Sequence, residues 1–172
     1  MPTEHQNLNS QPIESALAWI KAGYQVALAC VIKTWGSAPR PAGSFLAIRE
    51  DGLFAGSVSG GCVEGDVITQ AREVLKTHKV KILEYGVANA KAWEVGLTCG
   101  GRISILLSPL TDTDIFKELL EKQSQQRSCV LALELATART QLMSPGTPTN
   151  TNFDHAIPQC LRNDKAQMTE ID

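Results

Sequence analysis

Apolar positions along the chain change spacing several times, and each change marks an element. Ile13, Ala16, Leu17 and Ile20 fall on one stripe at the helical period, which predicts a helix over residues 11–22. Ser10 is its cap, Pro12 sits in its first turn and Gly23 ends it. Residues 1–11 are polar up to that point and read as a flexible N-terminal tail. Residues 24–32 are apolar on both faces, the pattern of a strand in the middle of its sheet. Residues 44–48 and 53–55 flank Glu50, Asp51 and Gly52, a hairpin with its turn. Val67, Ile68, Ala71, Val74 and Leu75 return to the helical period, predicting a helix over residues 63–77.

Further strands are predicted at residues 79–85 and 102–107, separated by a long loop over 86–101 that holds one short helical turn. A third helix begins at Asp112, with Ile115, Phe116, Leu119 and Leu120 on one face. Strands follow at 129–135 and 141–143. Pro, Thr and Asn then dominate from residue 144, before a short helix at 155–163 and an edge strand at 167–171. The order predicts an α/β chain of mixed α+β character, a mixed sheet with about three helices packed on it. Residues 12–143 form the domain, and residues 144–172 form a loosely packed C-terminal segment.

Composition narrows this picture by exclusion. A chain of 172 residues suits one domain with a real core. Its net charge is −2, with acids and bases interspersed and no Lys/Arg cluster, so there is no electrostatic case for nucleic acid. The longest apolar run, residues 26–32, is about a third of a membrane-spanning helix, and the polar N-terminus has no signal core. The five cysteines are odd in number and contain no Cys-x-x-Cys pair, which argues against a disulfide framework or a local zinc site. Free thiols in a reducing cytoplasm are the expectation.

Two loops stand out. Gly56-Ser57-Val58-Ser59-Gly60-Gly61-Cys62-Val63-Glu64 leads from a strand into a helix, a turn that presents backbone N–H groups to an anion. The same position favours a thiolate at Cys62, although Glu64 and Asp66 in the first helical turn each offset a dipole effect of ~0.3–1 kcal/mol. Gly96-Leu97-Thr98-Cys99-Gly100-Gly101 places a second cysteine beside a glycine pair. A third loop, residues 34–44, holds Trp35, Pro39, Arg40 and Pro41; its Arg40 suits bidentate contact with phosphate or carboxylate, and Trp35 or Trp93 suits stacking on a flat ligand. The alternative for each is structural: tight turns, small buried thiols, a solvated arginine and loop-anchoring tryptophans. Burial is the expectation for Cys30 and Cys129, inside apolar strands. Walker A is excluded because Cys62-Val63 stands where Lys-Ser/Thr is required, no G-x-G-x-x-G occurs, and Val58 occupies the centre of a would-be nucleophile elbow. His5, His78 and His155 fall in no catalytic or metal spacing.

These loops, the Asp51-Gly52 turn, Tyr85-Gly86 and the stretch from Trp93 to Gly101 resemble, in order, the N-terminal domain of the XdhC/CoxI family, over roughly residues 12–108. The family comprises accessory proteins of molybdenum hydroxylases. The resemblance implies a half-length member without a Rossmann domain. It also implies a molybdenum cofactor chaperone that protects the cofactor, as molybdopterin or its dinucleotide, during sulfuration. Insertion into a xanthine dehydrogenase or carbon monoxide dehydrogenase-type apo-enzyme would follow, with no turnover of the chaperone's own. Cys62 and Cys99 would then meet molybdenum, a soft-thiolate acceptor. Gly60, Gly61, Gly100, Gly101, Ser59 and Arg40 would hold the rest of the cofactor. Implied partners are the apo-enzyme, a sulfurtransferase (cysteine desulfurase), a separate Rossmann-domain protein and, by analogy, a second copy of the chain. The chain departs from the family pattern at Asn89-Ala90, where an acidic pair is common, and at Ser108, where Glu is usual. Two other functions stay open on the residues alone: a sulfur-transfer enzyme with Cys62 as nucleophile or persulfide carrier, and a ligand-free interaction module.

Overall fold

A computed structural model describes residues 4–86, 100–145 and 156–163. Two compact units divide the chain, Met1–Thr111 and Asp112–Asp172. The first carries helix α1 (Glu4–Lys21), strands β1 (Val26–Trp35), β2 (Phe45–Arg49) and β3 (Phe54–Gly56), helix α2 (Glu64–Thr77), and strands β4 (Lys81–Tyr85) and β5 (Arg102–Pro109). The strands form one sheet in the order β3-β2-β1-β5-β4, antiparallel at every pairing. The α/β expectation is met in its α+β form, and β1, apolar on both faces, is the central strand.

Alternation along the strands builds the core. Ala27, Ala29 and Val31 of β1, Leu46 and Ile48 of β2, and Ile103, Ile105 and Leu107 of β5 share one face. Against them α2 lays Val67, Ala71, Val74 and Leu75, the predicted stripe. The register of β1 slips between Val31 and Lys33, leaving Ile32 as a bulge. Beyond it β1 continues to pair with β5, Thr34 opposite Ile103 and Trp35 opposite Arg102. Trp35 therefore ends a strand and does not lie in the following loop. It is 43% exposed, with the Lys33 ammonium 4.7 Å above its ring.

Helix α1 starts upstream of the expected position, so Ser10 lies within it and is not its cap. Pro12 is internal to the helix and buried, and its ring lies close to Gly56, where a methyl group would approach Pro12 Cγ at 2.6 Å.

The second unit holds α3 (Asp114–Ser124), which buries Phe116 and Leu119, the hairpin β6 (Val130–Leu133) with β7 (Thr140–Met143), and α4 (Ala156–Asn163). Among the described residues there are thus four helices, α3 and α4 where the periodicity from Asp112 and at residues 155–163 predicts them. Trp93, Asn89, Ala90, Cys99, the short turn in the 86–101 loop and the strand at 167–171 fall outside the described residues. None of the described helices is long and apolar enough to cross a membrane.

Candidate functional site

The turn after β3 begins at Gly56, whose φ of +91° sends the chain away from the sheet edge. Gly60 and Gly61 follow with φ of +78° and +114°. These angles curl residues 57–61 around a single point, and the carboxylate of Glu64, the first residue of α2, occupies it. Its Oε1 accepts from the Ser57 hydroxyl at 2.7 Å and from the N–H groups of Val58 and Ser59 at 3.1 and 2.9 Å. Its Oε2 accepts from the Gly61 N–H at 2.9 Å and from the Ser59 hydroxyl. Both serines act as relays: Ser57 Oγ accepts the Gly60 N–H at 2.9 Å, and Ser59 Oγ accepts the Val63 N–H at 3.0 Å.

Glu64 is buried, and burial by itself would raise its carboxyl. The Ser59 and Ser57 hydroxyls and the Ser59 N–H outweigh that and hold it down at about 2. The convergent donors expected of this loop are present, and they meet an anion supplied by the chain itself. In the sequence Glu64 reads only as a first-turn acid opposing the dipole. The readable signal was two serines and a glycine pair placed just upstream of an acid at a helix start.

Cys62 stands between Gly61 and the helix N-cap Val63, half-buried and packed at the margin of the core together with Ala38. No disulfide engages Cys30, Cys62, Cys129 or Cys160. Cys30 lies in β1 and is buried, which pushes its thiol up to about 12 and leaves it inert. Cys129 lies just before β6, not inside it, and partial burial raises its thiol too.

Three loops distant in sequence come together here. Gly60 faces Pro39, so that a methyl at Gly60 would meet Pro39 Cβ at 3.4 Å. Gly101 lies against the same segment, and a methyl there would come within 3.0 Å of the Ser37 carbonyl and 3.1 Å of the Ala38 nitrogen. Both glycine loops thereby touch the segment Ser37–Pro39 that leads into Arg40. Gly60, Gly61 and Gly100 are exposed, and Gly101 is buried. Arg40 is half-buried and, among the described residues, has neither an ion-pair nor a hydrogen-bond partner. Cys99, which precedes Gly100, lies outside the described residues.

A second acid of α2 ties in the far strand. The hydroxyl of Tyr85, at the end of β4, donates to Asp66 Oδ2 at 2.6 Å. Burial, then the bond to Asp66 and its charge, push that phenol well above its ordinary range. No group of three or more His, Cys, Asp or Glu side chains suited to a metal ion is found among the described residues.

Residues 19–86, which include Arg40, Ser59, Gly60, Gly61, Cys62 and Glu64, match the model of the XdhC and CoxI family. Over that segment, about two fifths of its length, the chain is similar to the XdhC and CoxI family. Gly100, Gly101 and Cys99 lie beyond the matched segment. The molybdenum cofactor insertion chaperone PaoD of Escherichia coli is 27% identical over 151 residues, covering 86% of this chain and 47% of PaoD. YqeB, an uncharacterised Escherichia coli protein, is 34% identical over 82 residues, or 48% of this chain and 15% of YqeB. Among solved structures, a Bacillus halodurans protein described as a xanthine dehydrogenase matches with a TM-score of 0.62 at 25% identity, over 77% of this chain and 42% of that one. The chain thus spans about half, or less, of the length of these relatives.

Proposed function

We propose that this chain belongs to the XdhC and CoxI family and is a cytoplasmic carrier of molybdenum cofactor that binds the cofactor as cargo and turns over no substrate of its own. Shielding during sulfuration by a cysteine desulfurase and delivery to an apo-enzyme of the xanthine dehydrogenase or carbon monoxide dehydrogenase type complete the reading. The observation that carries it is the contact of the Gly60 and Gly101 loops with the Ser37–Pro39 segment, which draws together the three loops that hold Cys62, Arg40 and exposed glycines. The naming of PaoD as an insertion chaperone supports it.

Each part has a chemical use. Molybdenum accepts soft thiolates, the role assigned to Cys62 and Cys99. The guanidinium of Arg40 pairs with the pterin phosphate. Gly60, Gly61 and Gly100 keep side chains out of the way of a bulky ligand, and Gly101 lets its loop close against Ser37 and Ala38. Ser59, engaged with Glu64 and Val63, serves from beneath the loop.

The test is anaerobic mixing of the full chain with molybdenum cofactor, then gel filtration read by pterin fluorescence and molybdenum content. Wild type should co-elute with both signals. Cys62→Ala and Cys99→Ala should lose molybdenum, and Arg40→Ala should weaken retention by about tenfold. Folded wild type that elutes without pterin would refute a carrier role.

A further inference from the structure

We infer that Glu64 is a positioning residue for Cys62, an anion built into the chain that closes the glycine loop on itself and fixes where the thiol stands. The inference deepens the carrier reading, in which Cys62 meets the cargo, but the geometry behind it stands independently. Every N–H from residue 58 to 61 is committed either to Glu64 or to a serine that itself donates to Glu64. Cys62 is clamped on both sides by this network. The preceding N–H, of Gly61, is held by Glu64 Oε2, and the following one, of Val63, by the Ser59 hydroxyl that bonds the same oxygen. The loop has three positive-φ glycines, Gly56, Gly60 and Gly61, and so little backbone stiffness of its own. Its single conformation is imposed by the carboxylate. That carboxylate also fills the donor nest with negative charge, so the loop presents a thiol and does not take up a phosphate.

The test uses the full-length chain and reads Cys62 directly. The rate of Cys62 alkylation by iodoacetamide is followed by peptide mass spectrometry for wild type, Glu64→Ala and Ser59→Ala, with thermal unfolding alongside. Removing the carboxylate should free the thiol from the margin of the core and speed alkylation by about tenfold. Sodium formate, which fits the vacated nest as a small carboxylate, should return the rate to within about twofold of wild type. Sodium chloride at equal ionic strength should not. A purely structural role predicts no selective rescue by formate. Ser59→Ala keeps the carboxylate but releases Val63, and should accelerate alkylation by about threefold. This variant decides the matter should Glu64→Ala fail to fold. Unchanged Cys62 reactivity in the folded variants, or acceleration in Glu64→Ala that formate does not reverse, overturns the inference. Wild type that captures no cofactor, together with formate rescue, would sink the carrier reading and leave the positioning role standing. Full cofactor capture by a Glu64→Ala protein with unaltered Cys62 reactivity would do the reverse.

Discussion

Gly101 is buried against the Ser37 carbonyl and the Ala38 nitrogen, so a methyl group there must displace backbone, not the end of a side chain. Gly101→Ala should destabilise the protein by about 1–2 kcal/mol, measured as a lower urea midpoint at unchanged slope. Because the displaced segment carries Arg40, cofactor retention should fall in the same variant. At Gly61 the cause differs: a methyl added there would meet nothing within 4 Å, and the φ of +114° alone opposes a side chain. Such distinctions were not legible in the sequence, where Gly60-Gly61 and Gly100-Gly101 look alike. Cys30 was legible, because an apolar run on both sides of a cysteine leaves it nowhere to go but the core. Glu64 was only half legible. Its place at a helix start was plain, but its side chain turns back toward the preceding loop, and nothing in a dipole argument anticipates that.

At the scale of elements, the first turn of α2 organises the site. Glu64 holds the loop behind it, and Asp66 holds the end of β4, from which residues 87–99 continue toward Gly100. Tyr85→Phe keeps the buried ring and removes only the hydroxyl. A hydrogen bond to a charged acceptor contributes about 1.5–3 kcal/mol in a buried setting. Asp66 is partly solvated, and so a loss of about 1 kcal/mol is expected in urea unfolding. A wild-type midpoint in Tyr85→Phe would mean that the bond ties nothing down. Element boundaries in the first unit were readable wherever period and punctuation agreed, as in the Asp51-Gly52 hairpin and the α2 stripe. The reading failed at β1, where Lys33 and Thr34 look like the start of a loop. A bulge at Ile32 flips the facing of the strand, and β5 pairs with the continuation, an outcome set by a partner far along the chain. The start of α1 failed for a related reason, since a capping signal at Ser10 is overridden once the helix runs through it.

For the whole molecule, the same carboxylate sets how folding depends on acid. With a formal charge of −2 at pH 7 and a sequence pI of about 5.9, the chain experiences little global repulsion near neutrality, so individual carboxylates govern the onset of acid unfolding. Glu64 sits at about 2 in the folded chain against an ordinary 4.5. A carboxyl held below its unfolded value stabilises the fold above that value, and the stabilisation is lost as pH falls from about 4.5 toward about 2. Asp51, lowered by its bond to Arg49, and Asp114, lowered by Lys117, act in the same direction from exposed positions, but both remain in a Glu64→Gln protein. The difference between wild type and that variant therefore isolates Glu64. Urea midpoints taken from neutral pH down to about pH 3 should show wild type ahead at neutrality and the gap narrowing as acid is added. A gap that stays constant would mean that the loop is organised by a neutral carboxyl. One that widens would mean that the folded chain binds the proton more tightly than the unfolded one. Either result would remove the ionised carboxylate that the Ser57, Ser59 and Gly61 donors require, and with it the reason for Cys62 to stand where it does.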